Sequence, residues 1–132
     1  MQILCDTNII SELARPAPNP QVLAWSQELS LIIVSVITLE EIAYGLSAKP
    51  NPRVQAWLED FLATYCSILP ITSEIAQIAG QLRGYLKTKG KPRVQADMLI
   101  AATAKHYQLP LATRNIRDFE DCGISLINPF PD

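Results

Sequence analysis

Short apolar runs alternate with longer segments of helical periodicity along the whole sequence. The run Leu31–Val36 is rich in β-branched residues and lacks alternating polar side chains, which is typical of a buried strand in a parallel sheet. Strands that alternate with helices predict an α/β fold with a mostly parallel central sheet and helices on both of its faces. The other predicted strands are Ile3–Cys5, Ser67–Ile71, Leu111–Thr113 and Ile124–Ile127.

The segments between these runs carry apolar residues at helical spacing. Asn19 before Pro20 predicts the start of one helix, because Asn caps helix N-termini and Pro is tolerated at the first helical position. Further helices are predicted from Ile9 to near Arg15, from Thr38, from about Arg53 to Tyr65, after a cap at Thr72 or Ser73, and from about Val94 to Tyr107.

Composition narrows the class of protein. A chain of 132 residues with 48% hydrophobic residues predicts one globular domain over residues 1–132. No apolar run approaches the roughly 18 residues that a membrane span needs, so no membrane association is predicted. Cys5, Cys66 and Cys122 form no CxxC pair, which argues against a disulfide scaffold or thiolate zinc site and predicts a cytoplasmic location. The net charge of −2 disfavours a passive nucleic-acid coat.

Asp6 follows the first predicted strand directly, in the run Asp6-Thr7-Asn8. In an open parallel sheet, ligands bind beyond the carboxyl ends of the strands. The position of Asp6 therefore indicates a binding site. The alternative is that the run only forms a turn or caps the first helix.

Asp97 is the most informative acidic residue. In a helix it shares a face with Ile100, Ala101 and Ala104, at spacings of three, four and seven residues. A carboxylate on an apolar face must be neutral, paired or bound to a metal, because its burial alone is costly. The alternative is a solvated acid in the first helical turn, where it interacts with the helix N-terminus.

Glu41 has a good local explanation. Thr38 and Glu41 fit a capping box, in which the Glu side chain returns to the backbone of the cap residue. Glu40 competes for any functional role, and on the helical wheel Glu41 points away from the expected apolar face. On the pattern alone, capping is the better interpretation. The expected apolar face comprises Leu39, Ile42, Ala43 and Leu46.

Asn115 and Asp118 come just after the fourth predicted strand, where Asn115 could cap a single helical turn that carries Asp118. His106 is the only histidine, so a histidine-based zinc site or general base is disfavoured. The five glycines form neither GxxxxGK[ST] nor GxGxxG, so no nucleotide-binding loop is predicted.

Four segments, taken in order, resemble the PIN-domain family, and most of all its VapC and FitB-type toxins of bacterial toxin–antitoxin pairs. The resemblance covers nearly the whole chain. It implies a PIN-like three-layer α/β/α fold and an endoribonuclease that hydrolyses RNA phosphodiester bonds with Mg²⁺ or Mn²⁺. The segments are Ile3–Leu13, Ile37–Gly45, Ala96–Ala104 and Ala112–Phe119.

The resemblance also assigns roles to individual residues. Asp6 and Asp97 match the family's metal ligands, and Glu41, not Glu40, falls on its second acidic position. The fourth acidic position of many members falls on Asn115, so Asp118, one turn later, is the candidate replacement. The implied catalytic residues are Asp6, Glu41, Asp97 and Asp118, and the supporting residues are Thr7, Asn8, Thr113 and Asn115.

Two arginines flank these acids. Arg114 and Arg117 are candidates for phosphate contacts because they lie beside the predicted site. The basic run that ends at Arg93 is less informative, because such a run usually forms a solvated face. That interpretation is favoured for Lys87 and Lys89. The run comprises Lys87, Lys89, Lys91 and Arg93.

The resemblance implies two protein partners, a cognate antitoxin that blocks the acidic pocket and a second copy of the chain. Trp25, Tyr44 and Trp57 could serve such interfaces, although core packing is the simpler explanation. The main alternative is a catalytically inactive PIN-like module that acts by complex formation, and Asn115 keeps it open. Receiver domains and DxD phosphatases are disfavoured, because no second acid lies beside Asp6.

Overall fold

The computed structural model of the protein describes residues 2–131, so positions 1 and 132 of the predicted domain lie outside it. Its strands are β1 (Gln2–Cys5), β2 (Leu31–Ser35), β3 (Cys66–Leu69), β4 (Leu111–Ala112) and β5 (Leu126–Ile127). They form one sheet in the order β3-β2-β1-β4-β5, and every neighbouring pair is parallel. The prediction of a parallel sheet is confirmed, with each strand within a few residues of its predicted position.

The helices cover both faces of this sheet. Along β1, Leu4 packs into one hydrophobic cluster with the helices Ser73–Thr88 and Gln95–Tyr107. Ile3 and Cys5 pack into a second cluster with the helices Thr7–Leu13, Pro20–Gln27 and Pro52–Tyr65. Successive strand residues point to opposite faces, so both clusters draw on the same strands. The three-layer α/β/α fold is confirmed. The helices are α1 (Thr7–Leu13), α2 (Pro20–Gln27), α3 (Val36–Ala48), α4 (Pro52–Tyr65), α5 (Ser73–Thr88), α6 (Gln95–Tyr107) and a 3₁₀ helix (Ile116–Phe119).

Helix α3 begins earlier than predicted, and the capping-box interpretation is wrong. Ser35, the last residue of β2, caps the helix by accepting the Ile37 N–H with its hydroxyl oxygen over 3.0 Å. Thr38 therefore lies inside the first turn, where it is fully buried. Because Glu41 is one turn further along, it lies on the same side of the helix as Thr38.

The predicted apolar face of α3 is confirmed for Ile42 and Leu46, which pack against the second hydrophobic cluster, and is wrong for Ala43. Ala43 is exposed, and Tyr44 is 73% exposed, so core packing does not explain Tyr44. Trp25 and Trp57 do pack against the hydrophobic cluster beneath α2 and α4, as their simpler interpretation predicted. The predicted cap of α2 is confirmed, since Asn19 Oδ1 accepts the backbone N–H groups of Gln21 and Val22.

The strand order determines where a ligand can bind. The chain runs outward from β1 through β2 to β3, then returns to place β4 on the opposite side of β1. Such a reversal opens a crevice at the carboxyl ends of the two central strands. Here those ends are Cys5 and Ala112, which are paired in register. Within the described residues, no helix is long and apolar enough to cross a membrane.

Candidate active site

Asp6 lies at this crevice because it directly follows β1. Its backbone N–H donates to the Ala112 carbonyl over 2.9 Å, which continues the pairing of β1 with β4 by one residue and brings Asp6 beside Thr113. Its Oδ1 accepts the Thr7 N–H over 2.8 Å and so caps α1. The capping alternative is therefore correct, but it accounts for only one of the two carboxylate oxygens.

The second oxygen of Asp6 joins the loops that follow β1 and β4. Asp6 Oδ2 accepts the Thr113 hydroxyl over 2.8 Å and the Asn8 side-chain amide over 3.2 Å. Asn8 Oδ1 accepts the Arg114 N–H over 3.1 Å, and Thr113 Oγ1 accepts the Asn115 N–H over 3.0 Å. These bonds fix the orientation of the Asp6 carboxylate, which is buried with the rest of its side chain.

Glu41 reaches the same crevice from α3. The Thr7 hydroxyl donates to Glu41 Oε1 over 2.6 Å, and the hydroxyl oxygens of Thr7 and Thr38 are 3.0 Å apart. A hydroxyl carries one proton, so Thr38 is the donor to Thr7 in this chain of bonds. Thr7 therefore links the loop after β1 to Glu41 on α3.

Asp97 lies in the first turn of α6, and the backbone N–H groups there have no side-chain cap. It is half-buried, and its neighbours Met98 and Ile100 are fully buried. The pKa of Asp97 is raised to about 6, mainly by burial and further by the negative charges of Asp6, Asp118 and Glu41; Arg93 opposes the increase. The predicted burial of Asp97 is therefore confirmed in part, and its place in the first turn agrees with the alternative. The acids lie close enough to repel one another. Burial is also the main cause that raises the pKa of Asp6.

These side chains line one open cleft with a volume of about 460 Å³. Three predicted residues do not line it: Asp118 and Arg117, both exposed on the 3₁₀ helix, and Thr113, which is fully buried. Asp118 is nevertheless close enough for its charge to raise the pKa of Asp97. Asn115 stands at the cap position of that single turn, as predicted, but makes no side-chain capping bond there. The predicted residues on the cleft walls are Asp6, Thr7, Asn8, Glu41, Asp97, Arg114 and Asn115.

The sequence reasoning did not identify several residues of this region. Glu12 and Arg15 also line the cleft, and a signal for them existed, because they follow Asn8 by four and seven residues on one helical face. Arg93 Nη1 donates to the Asp118 and Glu120 carbonyls over 3.2 and 3.0 Å, and so holds the segment that carries Asp118. No local sequence pattern predicts this contact. In the structure, Arg93 anchors the segment that carries Asp118.

The site has the chemistry of a cation-binding site. The ion pairs shown within residues 2–131 include none of Asp6, Glu41 and Asp97, although their charges raise the pKa of Asp97. Across the same residues, no three carboxylate, thiol or imidazole groups are grouped closely enough to enclose an ion by themselves. An Mg²⁺ ion does not need such a group, because it usually takes one or two carboxylates and completes its shell with water and substrate phosphate.

The raised pKa of Asp97 gives a test that needs no activity. Because the folded chain binds this proton more tightly than the unfolded chain, protonated Asp97 stabilises the fold at low pH and ionisation removes that stabilisation as pH rises through about 6. The quantity to compare is the free energy of unfolding of the wild type minus that of Asp97→Asn, both measured in EDTA. We expect this difference to fall by about 1 kcal/mol between about pH 4 and pH 7. This figure is reduced because half of the side chain is exposed to solvent. Urea unfolding measures this; a difference that stays level or rises would contradict the burial and repulsion described.

Known proteins resemble this chain over nearly its whole length. The family model described as PIN domain matches residues 3–123. Toxin FitB of Neisseria gonorrhoeae is 39% identical, with coverage of 98% of this chain and 99% of that protein. VapC ribonuclease Y4jK of Sinorhizobium fredii is 35% identical, with coverage of 97% of each chain. The crystal structure of FitAcB from Neisseria gonorrhoeae superposes with a TM-score of 0.82 at 38% identity, with 98% of both chains covered.

Proposed function

The chain belongs to the PIN-domain family, and we propose on that basis that it is the toxin of a toxin–antitoxin pair and acts as a metal-dependent endoribonuclease. Its likeness to Toxin FitB supports the proposal of a toxin, and its likeness to VapC ribonuclease Y4jK supports the proposal of a ribonuclease. The observation that carries it is the meeting of Asp6, Glu41 and Asp97 at one cleft, where burial and the neighbouring negative charges together raise the pKa of Asp97 to about 6.

In this proposal, Asp6 and Asp97 hold an Mg²⁺ or Mn²⁺ ion. Thr113 and Asn8 keep one oxygen of Asp6 in position, while Asp97 faces the cleft from the start of α6. The ion, when bound, offsets the negative charge that develops on the phosphate and makes a bound water more acidic. The reaction is in-line hydrolysis, in which water adds to phosphorus and the bond to the leaving sugar oxygen breaks.

Glu41 binds the ion as a further ligand or aligns the attacking water. The Thr7 hydroxyl, which donates to Glu41 Oε1 over 2.6 Å, orients this carboxylate. Asn115 lines the cleft at the family's fourth acidic position and offers an amide there. Asp118 supports the site through its charge from the adjacent 3₁₀ helix.

The RNA backbone approaches the cleft along its basic side. Arg114 lines the cleft, where its guanidinium is available to phosphate oxygens. Arg117 is exposed on the 3₁₀ helix and would contact a longer RNA outside the cleft. Both contacts should weaken as salt concentration increases.

The remaining assignments concern partners and location. A cell that makes a ribonuclease toxin needs an inhibitor, so we propose a cognate antitoxin that covers the acidic cleft. We also propose a homodimer and a cytoplasmic location. Tyr44, 73% exposed on α3, is available to such an interface.

The test is cleavage by the purified, antitoxin-free protein. Structured and single-stranded RNAs are incubated with Mg²⁺, with Mn²⁺ and with EDTA, beside Asp97→Asn protein purified in the same way. We expect cuts that require Mg²⁺ or Mn²⁺, that EDTA abolishes and that the variant does not make. Absence of cleavage across a whole tRNA, rRNA and mRNA panel, with the protein folded and Mn²⁺ bound, would instead favour an inactive binding module.

A further inference from the structure

A smaller pocket of about 200 Å³ adjoins the acidic cleft and shares Glu12, Arg15, Arg114 and Phe130 with it. We infer that this side pocket binds a phosphate of the RNA strand next to the one being hydrolysed, and that Arg15 and Arg114 hold that phosphate between them. This inference rests on the proposed ribonuclease function and adds a substrate subsite to it.

Arg114 is held in place by an aromatic ring. Its guanidinium carbon lies 4.6 Å from the centre of the Phe130 ring, and Phe130 is only 7% exposed. Stacking on a ring face orients the guanidinium and uses none of its N–H groups, which stay available to an anion. The Arg114 backbone is fixed as well, by the bond from its N–H to Asn8.

Arg15 is held by a buried carboxylate. Arg15 Nη1 donates to Glu12 Oε1 over 3.3 Å, and the other oxygen of Glu12 accepts the Asn19 N–H over 3.0 Å. Glu12 is 7% exposed, so it is a fixed anchor, whereas the side chain of Arg15 is 65% exposed. The pairing engages one edge of the guanidinium and leaves further N–H donors to face the pocket.

The balance of charge favours an anion in the side pocket. The charged residues on its walls are two arginines and one glutamate, whereas the acidic cleft adds Asp6, Glu41 and Asp97 to the same three. A cation is therefore favoured at the acidic end and an anion at the basic end. An RNA strand carries a phosphate at every nucleotide, so a strand with one phosphate at the acidic end presents another to the neighbouring wall.

RNA binding tests the inference without cleavage. In an Asp97→Asn background, the affinity for a fluorescent single-stranded RNA is measured at several salt concentrations, with Arg15→Ala compared against Arg83→Ala. Arg83 is exposed on α5 and lines neither pocket. We expect Arg15→Ala to weaken binding about tenfold and to reduce the salt slope by about 0.7, as for the loss of one phosphate contact on a single strand. Arg83→Ala should change neither.

A conservative variant separates phosphate binding from folding. Arg15→Lys keeps the charge beside Glu12, so we expect it to restore the salt slope while recovering only part of the affinity. In the cleaving protein, Arg15→Ala should increase KM for RNA and leave kcat unchanged. Equal RNA affinity and salt slope for Arg15→Ala and Arg83→Ala would overturn the inference. The proposed function would survive that result, because metal-dependent cleavage decides it separately.

Discussion

Asp97→Asn is expected to slow RNA cleavage by about a thousand-fold or more while the protein stays folded. The amide is the same size as the carboxyl and is tolerated in the first turn of α6, but it lacks the charge with which Asp97 would hold a divalent ion. A metal stabilises the developing charge of the reaction by several kcal/mol, and about 4 kcal/mol corresponds to a thousand-fold in rate. The measurement is the single-turnover rate of RNA cleavage at saturating Mn²⁺.

The controls for this variant are a stability measurement and a matched substitution. Because burial and repulsion oppose the charge of Asp97, the metal-free variant should be at least as stable as the wild type near neutral pH. Asp60→Asn makes the same chemical change on the exposed side of α4 and should keep the wild-type rate. If Asp97→Asn cleaves within tenfold of Asp60→Asn, Asp97 does not bind the metal.

Thr113→Val is expected to weaken Mn²⁺ binding by about 10- to 100-fold, the usual cost of removing a group that orients a metal ligand. The valine has nearly the shape of threonine but cannot donate to Asp6 Oδ2, a bond of 2.8 Å in the structure. It also cannot accept the Asn115 N–H. The Asp6 carboxylate then loses its fixed orientation. Calorimetric titration with Mn²⁺, in the absence of RNA, measures the change.

Thr103→Val is the matched control for this experiment. Thr103 is fully buried like Thr113, but its hydroxyl donates to the Leu99 carbonyl of its own helix, over 2.8 Å. Its removal should change stability and leave Mn²⁺ affinity as in the wild type. Equal losses of Mn²⁺ affinity in both variants would mean that a general loosening of the protein, and not the bond to Asp6, is responsible.

The architecture could be predicted because its signals are periodic and local. Runs such as Ile32–Val34 are apolar throughout, since a central parallel strand is buried on both faces. Asp97 was identified for a related reason, because its spacing from Ile100 and Ala101 placed it at the edge of a buried face. The position of a residue in a periodic pattern was therefore enough to predict the layers of the fold and to single out Asp97.

The orientation of Glu41 was not predictable in this way. The helical wheel assigned a buried face from the number of apolar residues, whereas the one fully buried residue of α3 is the polar Thr38. Glu41 lines the cleft beside Thr7, a residue 34 positions away whose hydroxyl bonds to it. The anchoring of the Asp118 segment by Arg93 likewise joins residues 25 or more positions apart. Contacts of this range depend on the packed sheet and leave no local pattern.

The central position of β1 ties the cleft to the completion of the fold. Asp6 and Thr113 are separated by 107 residues, yet a hydrogen bond joins them, and β1 pairs with β4 at its carboxyl end. A ribosome that has made the first 110 residues has therefore supplied Asp6, Glu41 and Asp97, while one edge of β1 still lacks its partner strand. Contacts of such long range form late in folding. Under the proposed function, a chain in which β4 has not yet paired with β1 would lack the bond that orients Asp6, so we expect the metal site to form only after that pairing.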